Sequence, residues 1–293
     1  MSDQKKGIAF ALVSAALYGL IPILGKKFVA DFPPLFVAFM VVLLADFFIG
    51  VIAFWRKEIF RNLILKNIFW VAALGFFAAL GSIFAFLGLS IGRASDAGFL
   101  FQLEIFFAAI LAYLFLKEKL SQNQVGGLVL MFVGTYVFST SLSFSFEIGN
   151  LFFLGSAFVW GINDIIVKRK RKNLSPFFLA FGRNFFSLLI LFPLAIQYLP
   201  ENLQKLTGQD VFYFLIYGLV VSGIILSLYF ALGLIKTAEA LSYQLFSPIL
   251  TATLAFFIFG ERLTTIQLIG GAVILGGLYL MTQSLVPLTK RHH

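Results

Sequence analysis

Cysteine is absent from all 293 residues, and histidine occurs only at His292 and His293. Disulfides, thiolate chemistry and sulfur-based metal sites are therefore excluded, and the body of the chain has no imidazole to serve as a base or a metal ligand. Charge is scarce too: Asp, Glu, Lys and Arg make up 12% of the residues, against about 25% in ordinary soluble domains. Beside 60% hydrophobic residues, that shortage excludes a water-soluble core. The net charge of +9 would suggest nucleic acid in a soluble protein. Here the basic residues cluster between apolar runs, where anchoring at the cytoplasmic membrane surface accounts for them and no nucleic-acid partner is implied. A phosphate-binding loop is also missing, because the nearest approach, Gly19 to Lys26, has one residue too many between its glycines and Lys27 where Ser or Thr is required. Neither ATP hydrolysis nor any metal or organic cofactor is expected, and no paired-carboxylate or histidine motif suggests an enzyme.

What is abundant is long apolar sequence. A helix needs about 20 apolar residues to cross a hydrocarbon core of roughly 30 Å, and ten such runs occur, near 7–25, 34–55, 68–91, 95–116, 124–142, 148–167, 176–199, 211–235, 238–259 and 265–286. Runs of that length must satisfy their own backbone hydrogen bonds, so they are helices; barrel strands would be half as long and would alternate. The first run resembles a signal sequence in following Lys5 and Lys6, but no small-x-small cleavage site follows it, and it is expected to stay as the first helix.

The ten runs form two related sets. A shift of 142 aligns Ser14, Ala15, Tyr18 and Gly19 with Ser156, Ala157, Trp160 and Gly161, Lys26 with Lys168, and Pro34 and Phe36 with Pro176 and Phe178. A shift of 143 aligns Arg93 with Lys236, Asp96 with Glu239, Glu118 with Glu261, Lys119 with Arg262, Gln124 with Gln267 and Gly134 with Gly277. Polar matches in register are hard to obtain from apolar composition alone. Five crossings per half is an odd number, so the second half, 148–286, must insert upside down relative to the first, 7–142. Inverted repeats of this kind underlie many secondary transporters. The expected fold is thus an all-α integral membrane protein of ten helices in two inverted five-helix repeats.

These features resemble the drug/metabolite transporter superfamily, in its ten-helix group with two EamA-type domains. The resemblance covers nearly the whole chain. It rests on the small-small-x-aromatic-Gly signature at Ser14–Gly19 and Ser156–Gly161, and on the endings Lys117-Glu118-Lys119-Leu120 and Gly260-Glu261-Arg262-Leu263. It implies carriage of a small organic metabolite, as relatives export amino acids or move nucleotide-sugar-like and drug-like compounds. The family's second-helix Arg is matched by Arg183, whereas the first repeat has Val41 there.

Candidate site residues follow from the cost of ionisable groups in a bilayer, about 3 kcal/mol each on insertion scales. Glu104, near the middle of the fourth run, leads; Arg183, Asp46 and Asp164 are the others. Each would otherwise be a buried ion pair or a hydrogen-bonded carboxylic acid. Phe101 shares a helical face with Glu104, and the repeat places Gln244 and Ser247 on the equivalent face of the ninth helix. Trp160, Asn163 and Asp164 share a face of the sixth helix, with Tyr18 in the matching part of the first. Aromatic walls with a few polar groups suit a small-molecule pocket. The expected activity is alternating-access export of an amino acid or related compound, with proton exchange at Glu104 or its binding of a cargo amino group as alternative roles, and membrane lipids as surroundings. One chain or a homodimer would serve. The rivals are a non-transporting membrane scaffold and a carrier of nucleotide-like or drug-like cargo.

Orientation follows from Lys and Arg. With the N-terminus inside, 16 basic residues fall in inner segments, among them Lys168 to Lys172, against Lys26, Lys27, Arg93, Lys205 and Arg262 outside. Both termini are therefore expected in the cytoplasm of an inner-membrane protein. Single cysteines introduced into this Cys-free chain test this: impermeant thiol reagents on whole cells should label Glu147→Cys and leave Lys170→Cys unlabelled, and the reverse pattern would invert the topology.

Overall fold

A computed structural model describes residues 3–57, 65–117, 120–139, 147–171, 173–235, 240 and 243–283. Among them every regular element is a helix. In chain order these are α1 (Asp3–Tyr18), α2 (Ile21–Asp31), α3 (Pro34–Trp55), α4 (Leu65–Ile91), α5 (Ala94–Leu100), α6 (Leu103–Leu116), α7 (Gln122–Ser139), α8 (Ile148–Lys170), α9 (Pro176–Ala195), α10 (Leu199–Lys205), α11 (Gly208–Leu234), α12 (Ser247–Phe259) and α13 (Thr265–Gln283). Seven continuous or jointed helical segments are long and apolar enough to cross a membrane, and α12 and the apolar Thr265–Leu280 stretch of α13 are shorter. The crossings agree with the ten expected runs, with α1 and α2 sharing the first and α5 and α6 the fourth. Large apolar side chains remain exposed all round, including Trp55, Phe69, Phe115, Phe132 and Phe257, as the lipid-facing surface of a bundle requires.

The inverted repeat is visible in the packing. Helix α1 packs along α11, and its repeat mate α8 packs along α4; α3 meets α11 as α9 meets α4. Helices α3 and α9 also pair with each other, as do α7 and α13. Lysine caps follow the same relation. Lys26 Nζ donates to the Leu89 and Gly92 carbonyls (2.9 and 2.7 Å) at the end of α4, while Lys168 Nζ donates to the Leu232 and Ile235 carbonyls (3.4 and 3.1 Å) at the end of α11. A cation at a helix C-terminus satisfies carbonyls that have no intrahelical donor. A carboxylate does the opposite at a helix start: Glu261 accepts from the Ala94 and Ser95 amides (3.0 and 2.8 Å) at the head of α5, beside Arg93 bonded to Gln267 Oε1 and the Arg262 carbonyl. The repeat partners Glu118, Lys119, Lys236 and Glu239 lie outside the described residues.

The first and fourth crossings are jointed near their middles. Pro22 has no amide to offer the Tyr18 carbonyl, so the helix parts at Gly19–Leu20. Between α5 and α6 the chain tightens into three-residue hydrogen bonds, with Glu104 N donating to the Phe101 carbonyl (3.0 Å) and Ile105 N to that of Gln102 (3.1 Å). The ninth crossing repeats this with a 3-10 turn at Tyr243–Phe246 ahead of Ser247 and Pro248.

Glycines set the closeness of the α7–α13 pair. A Cβ at Gly134 would lie 2.7 Å from the Ile274 amide nitrogen, and one at Gly277 would lie 2.6 Å from the Gly127 carbonyl. Gly126 and Gly276 on the same two helices face open space and carry no such contact. Gly134→Leu should therefore force the two backbones apart, at about 1–3 kcal/mol by the usual cost of overpacking, and lower the melting temperature in detergent. Gly126→Ala should leave it unchanged or raise it. Equal melting of both variants and the parent would refute this account of the pair.

Candidate functional site

A cavity of about 110 Å³ opens where the two repeats meet. Its walls come from α1, α2, α3, α4, α6, α8, α9 and α11, and six of the ten candidate residues line it: Tyr18, Glu104, Trp160, Asn163, Asp164 and Arg183. Both joints help to aim them. Tyr18 is the last residue of α1 before its break and Glu104 lies in the first turn of α6 after the other, so the joints bring a phenol and a carboxyl together: Tyr18 Oη donates to Glu104 Oε2 at 2.7 Å. Asp164, from α8, lines the same cavity. All three side chains are buried. Trp160, one turn before Asp164, stands edge-on to Tyr18 (ring centroids 6.5 Å apart). Its indole fits only because Gly81 opposite lacks a side chain, since a Cβ there would lie 2.5 Å from the indole nitrogen.

Arg183 supplies the cavity's positive charge, from α9. It shares the cavity lining with Glu104, Asp164 and Tyr229, yet among the described residues no carboxylate oxygen lies within 4.0 Å of its guanidinium. Its Nη1 donates to Asn184 Oδ1 at 2.9 Å, while its Nε is buried with no partner. Asn184 Nδ2 and Asp164 Oδ2 are likewise buried without partners. Unfilled donors and acceptors of this kind are costly in an apolar setting unless something fills them. Asn163 is different. In the amide orientation its neighbours require, it donates to the Leu74 carbonyl and accepts from the Ala78 amide, both at 3.2 Å. Those atoms are one helical turn apart in α4, so Asn163 inserts into that helix's own ladder and its polar capacity serves packing between α8 and α4.

The other four candidates lie elsewhere. Asp46 is buried on α3 and lines a separate groove with Phe47, Gly50 and Phe181. Phe101 is fully buried behind Trp160, with ring centroids 4.9 Å apart. Ser247 accepts from Gln102 Nε2 at 2.7 Å, and Gln244 is buried outside the cavity lining. The polar stripe of the ninth crossing is thus packed against the joint between α5 and α6, and only Glu104's side of the pseudo-symmetric pair faces the cavity. Four polar lining residues were not among the candidates: Ser82, Asn184, Tyr217 and Tyr229. An Asn within an apolar helix beside Arg183 was a readable signal; the two tyrosines had none to set them apart from the other aromatics.

Aromatic stacks flank the cavity at both ends of the α1/α2–α11 contact. At one end Phe28 stacks on Phe214 at 3.8 Å, Tyr217 lies parallel beyond it, and Tyr217 Oη donates to the Ile21 carbonyl at 3.0 Å. At the other, Phe10 stacks on Phe230 at 5.0 Å, with the Phe177 ring edge-on, and Arg171 Nε donates to the Tyr229 carbonyl at 3.0 Å.

Comparison with known proteins agrees with this architecture. A solved crystal structure superposes with a TM-score of 0.69 over 97% of this chain and all of its own, at 16% identity, which shows a shared fold. An uncharacterized transporter of Archaeoglobus fulgidus is 28% identical over 123 residues, or 42% of this chain and 39% of the relative. Another, of Methanothermobacter thermautotrophicus, is 25% identical over 206 residues, 66% of this chain and 58% of the relative. The chain therefore matches only about half the length of these two proteins. The EamA-like transporter family matches residues 5–140 and 147–283, one match to each repeat. With both halves so matched and an all-helical, membrane-spanning architecture around a central cavity, the chain belongs to the EamA-like transporter family.

Proposed function

We propose that the protein is a secondary transporter that moves a small organic metabolite bearing both an amino and an acidic group, an amino acid or related compound, out of the cell by alternating access. One observation carries this reading: the cavity between the repeats presents acids on one wall, at Glu104 and Asp164, and an Arg183–Asn184 pair with unfilled donors on another. An ammonium group suits the first wall. A carboxylate suits the second, because a guanidinium binds it through paired donors. Helix joints at the depth of the cavity support a mechanism in which one repeat rocks against the other, since discontinuous helices around a midplane site are a recurring transporter device. In this reading the two aromatic stacks are gates that part alternately. Cytoplasmic termini and an inner-membrane location follow from the distribution of Lys and Arg.

The test is counterflow in proteoliposomes, with a panel of labelled amino acids and related amines and carboxylates. At least one zwitterion should exchange, and the isolated amine and carboxylate should compete weakly. Arg183→Ala should reduce affinity for that zwitterion by about ten- to a hundredfold, in line with 1.5–3 kcal/mol for hydrogen bonds to charged groups; Arg183→Lys should recover only part of it, because it keeps the charge and loses the fork. No exchange across the whole panel would favour a non-transporting scaffold, and parental transport in both variants would remove Arg183 from the site.

A further inference from the structure

A groove of about 380 Å³ runs along α8 between α4 and α6 and shares no lining residue with the central cavity. Helix α4 contributes Trp70 and Phe77, α6 contributes Leu111 and Leu116, and α8 contributes Phe158 and Ile166. Every lining side chain is aliphatic or aromatic except Arg169, in the last turn of α8. Lys170 Nζ stands 3.8 Å over the Trp70 ring, so Trp70 belongs to the same end of the groove as Arg169. Phe158, eleven positions earlier on α8, lies about 16 Å deeper at 1.5 Å per residue. That is about half of a hydrocarbon core of roughly 30 Å, the depth of one leaflet's acyl chains. Phe115 and Phe158 are 69% and 43% exposed, so the groove opens to the lipid-facing surface.

Other basic residues around the end of α8 are engaged within the protein. Lys168 caps α11, Lys170 lies over Trp70, and Arg171 donates to the Tyr229 carbonyl. Arg169 is exposed, and among the described residues no hydrogen bond or ion pair holds it. We propose that this groove binds one anionic phospholipid of the bilayer, with an acyl chain along α8 and the phosphate on Arg169. Charge complementarity selects that occupant. A guanidinium binds phosphate oxygens through paired donors, and Lys170 adds a second cation at the mouth, against which the ammonium of a zwitterionic head would be repelled. Basic pockets between spanning helices recur as sites for anionic headgroups. The site stands whether or not the central cavity carries cargo.

Tryptophan fluorescence of the full chain in vesicles tests it, because Trp70 forms a wall of the groove. The double substitution Trp55→Phe/Trp160→Phe leaves Trp70 as the only tryptophan. Phosphatidylglycerol brominated on its acyl chains should quench Trp70 at a lower mole fraction than equally brominated phosphatidylcholine, by about fivefold for one basic residue at an anionic headgroup. Arg169→Gln should bring the two quenching curves together, and Arg169→Lys should keep part of the difference. Arg56→Gln, at the end of α3 where the guanidinium lies over Phe177 instead, should leave it unchanged. With all three tryptophans in place, phosphatidylglycerol should raise the melting temperature in detergent more than phosphatidylcholine does, and Arg169→Gln should abolish that difference. Equal quenching by the two lipids would mean that any acyl chain fills the groove, and quenching by neither that protein, such as a second copy, covers it. Equal loss of preference in Arg56→Gln and Arg169→Gln would mean a diffuse charge effect. Each of these results, or an unchanged melting difference in Arg169→Gln, would overturn the site.

Discussion

Backbone hydrogen bonding inside a hydrocarbon layer is the constraint on which the structure depends. No water is available there, so a helix that parts within the bundle must have its loose groups met by protein. Pro22 forces such a parting. The Gly19 carbonyl beside it receives Thr251 Oγ1 at 2.8 Å, and the Ile21 carbonyl receives Tyr217 Oη at 3.0 Å. The joint between α5 and α6 is held in turn by Gln102 on Ser247. These bonds run from α1 and α2 to α11 and α12, and from the α5–α6 joint to α12, so the breaks are fixed by the opposite repeat. Because both breaks are fixed, Tyr18 and Glu104 meet at 2.7 Å rather than lying along two continuous helices.

Polar groups within the bundle divide by what they are spent on. Asn163 is consumed by the α4 backbone, Ser156 by the Gly81 carbonyl at 3.0 Å, and Thr251 by α1. Such bonds pin helices together and leave little over for a visitor. Arg183, Asn184 and Asp164 retain unfilled atoms, and all three line the same cavity. Three of the buried polar side chains with unfilled atoms therefore gather at one cavity.

Pseudo-symmetry and its violations have separate effects. Where the repeats agree, as in Lys26 and Lys168 capping the ends of α4 and α11, the result is a matched frame for two halves. Where they differ, the result is chemistry. Glu104 stands opposite Ser247 in the repeat alignment, Arg183 opposite Val41, and Asp164 opposite Pro22. Pro22 makes a joint in one repeat where Asp164 places a carboxyl on an unbroken helix in the other. The frame is symmetric and the cavity lining is not.

Ten apolar runs, their near-identical spacing in two halves and the odd number of crossings settled an inverted helical membrane fold from sequence, because hydropathy and chain length leave a spanning segment no alternative to a helix. Six of the lining residues were legible for a related reason: an acid, an arginine or an aromatic-polar cluster at bilayer depth is costly and stands out against apolar sequence. The sequence could not tell which face of each helix would turn inward. Asp46 and Arg183 look alike as intramembrane charges, yet one lines a separate groove and the other the cavity. Gln244 and Ser247 share the register of Phe101 and Glu104, yet Ser247 bonds Gln102 and neither lines the cavity. Tyr217 and Tyr229 were indistinguishable from the other aromatics until α11 was laid beside α1. Sequence by itself determined the helices, their inverted repetition and the presence of costly charges. Only the tertiary structure decided which charges meet, because helix rotation and the joints at Gly19–Leu20 and Phe101–Gln102 are set by contacts between residues more than a hundred positions apart.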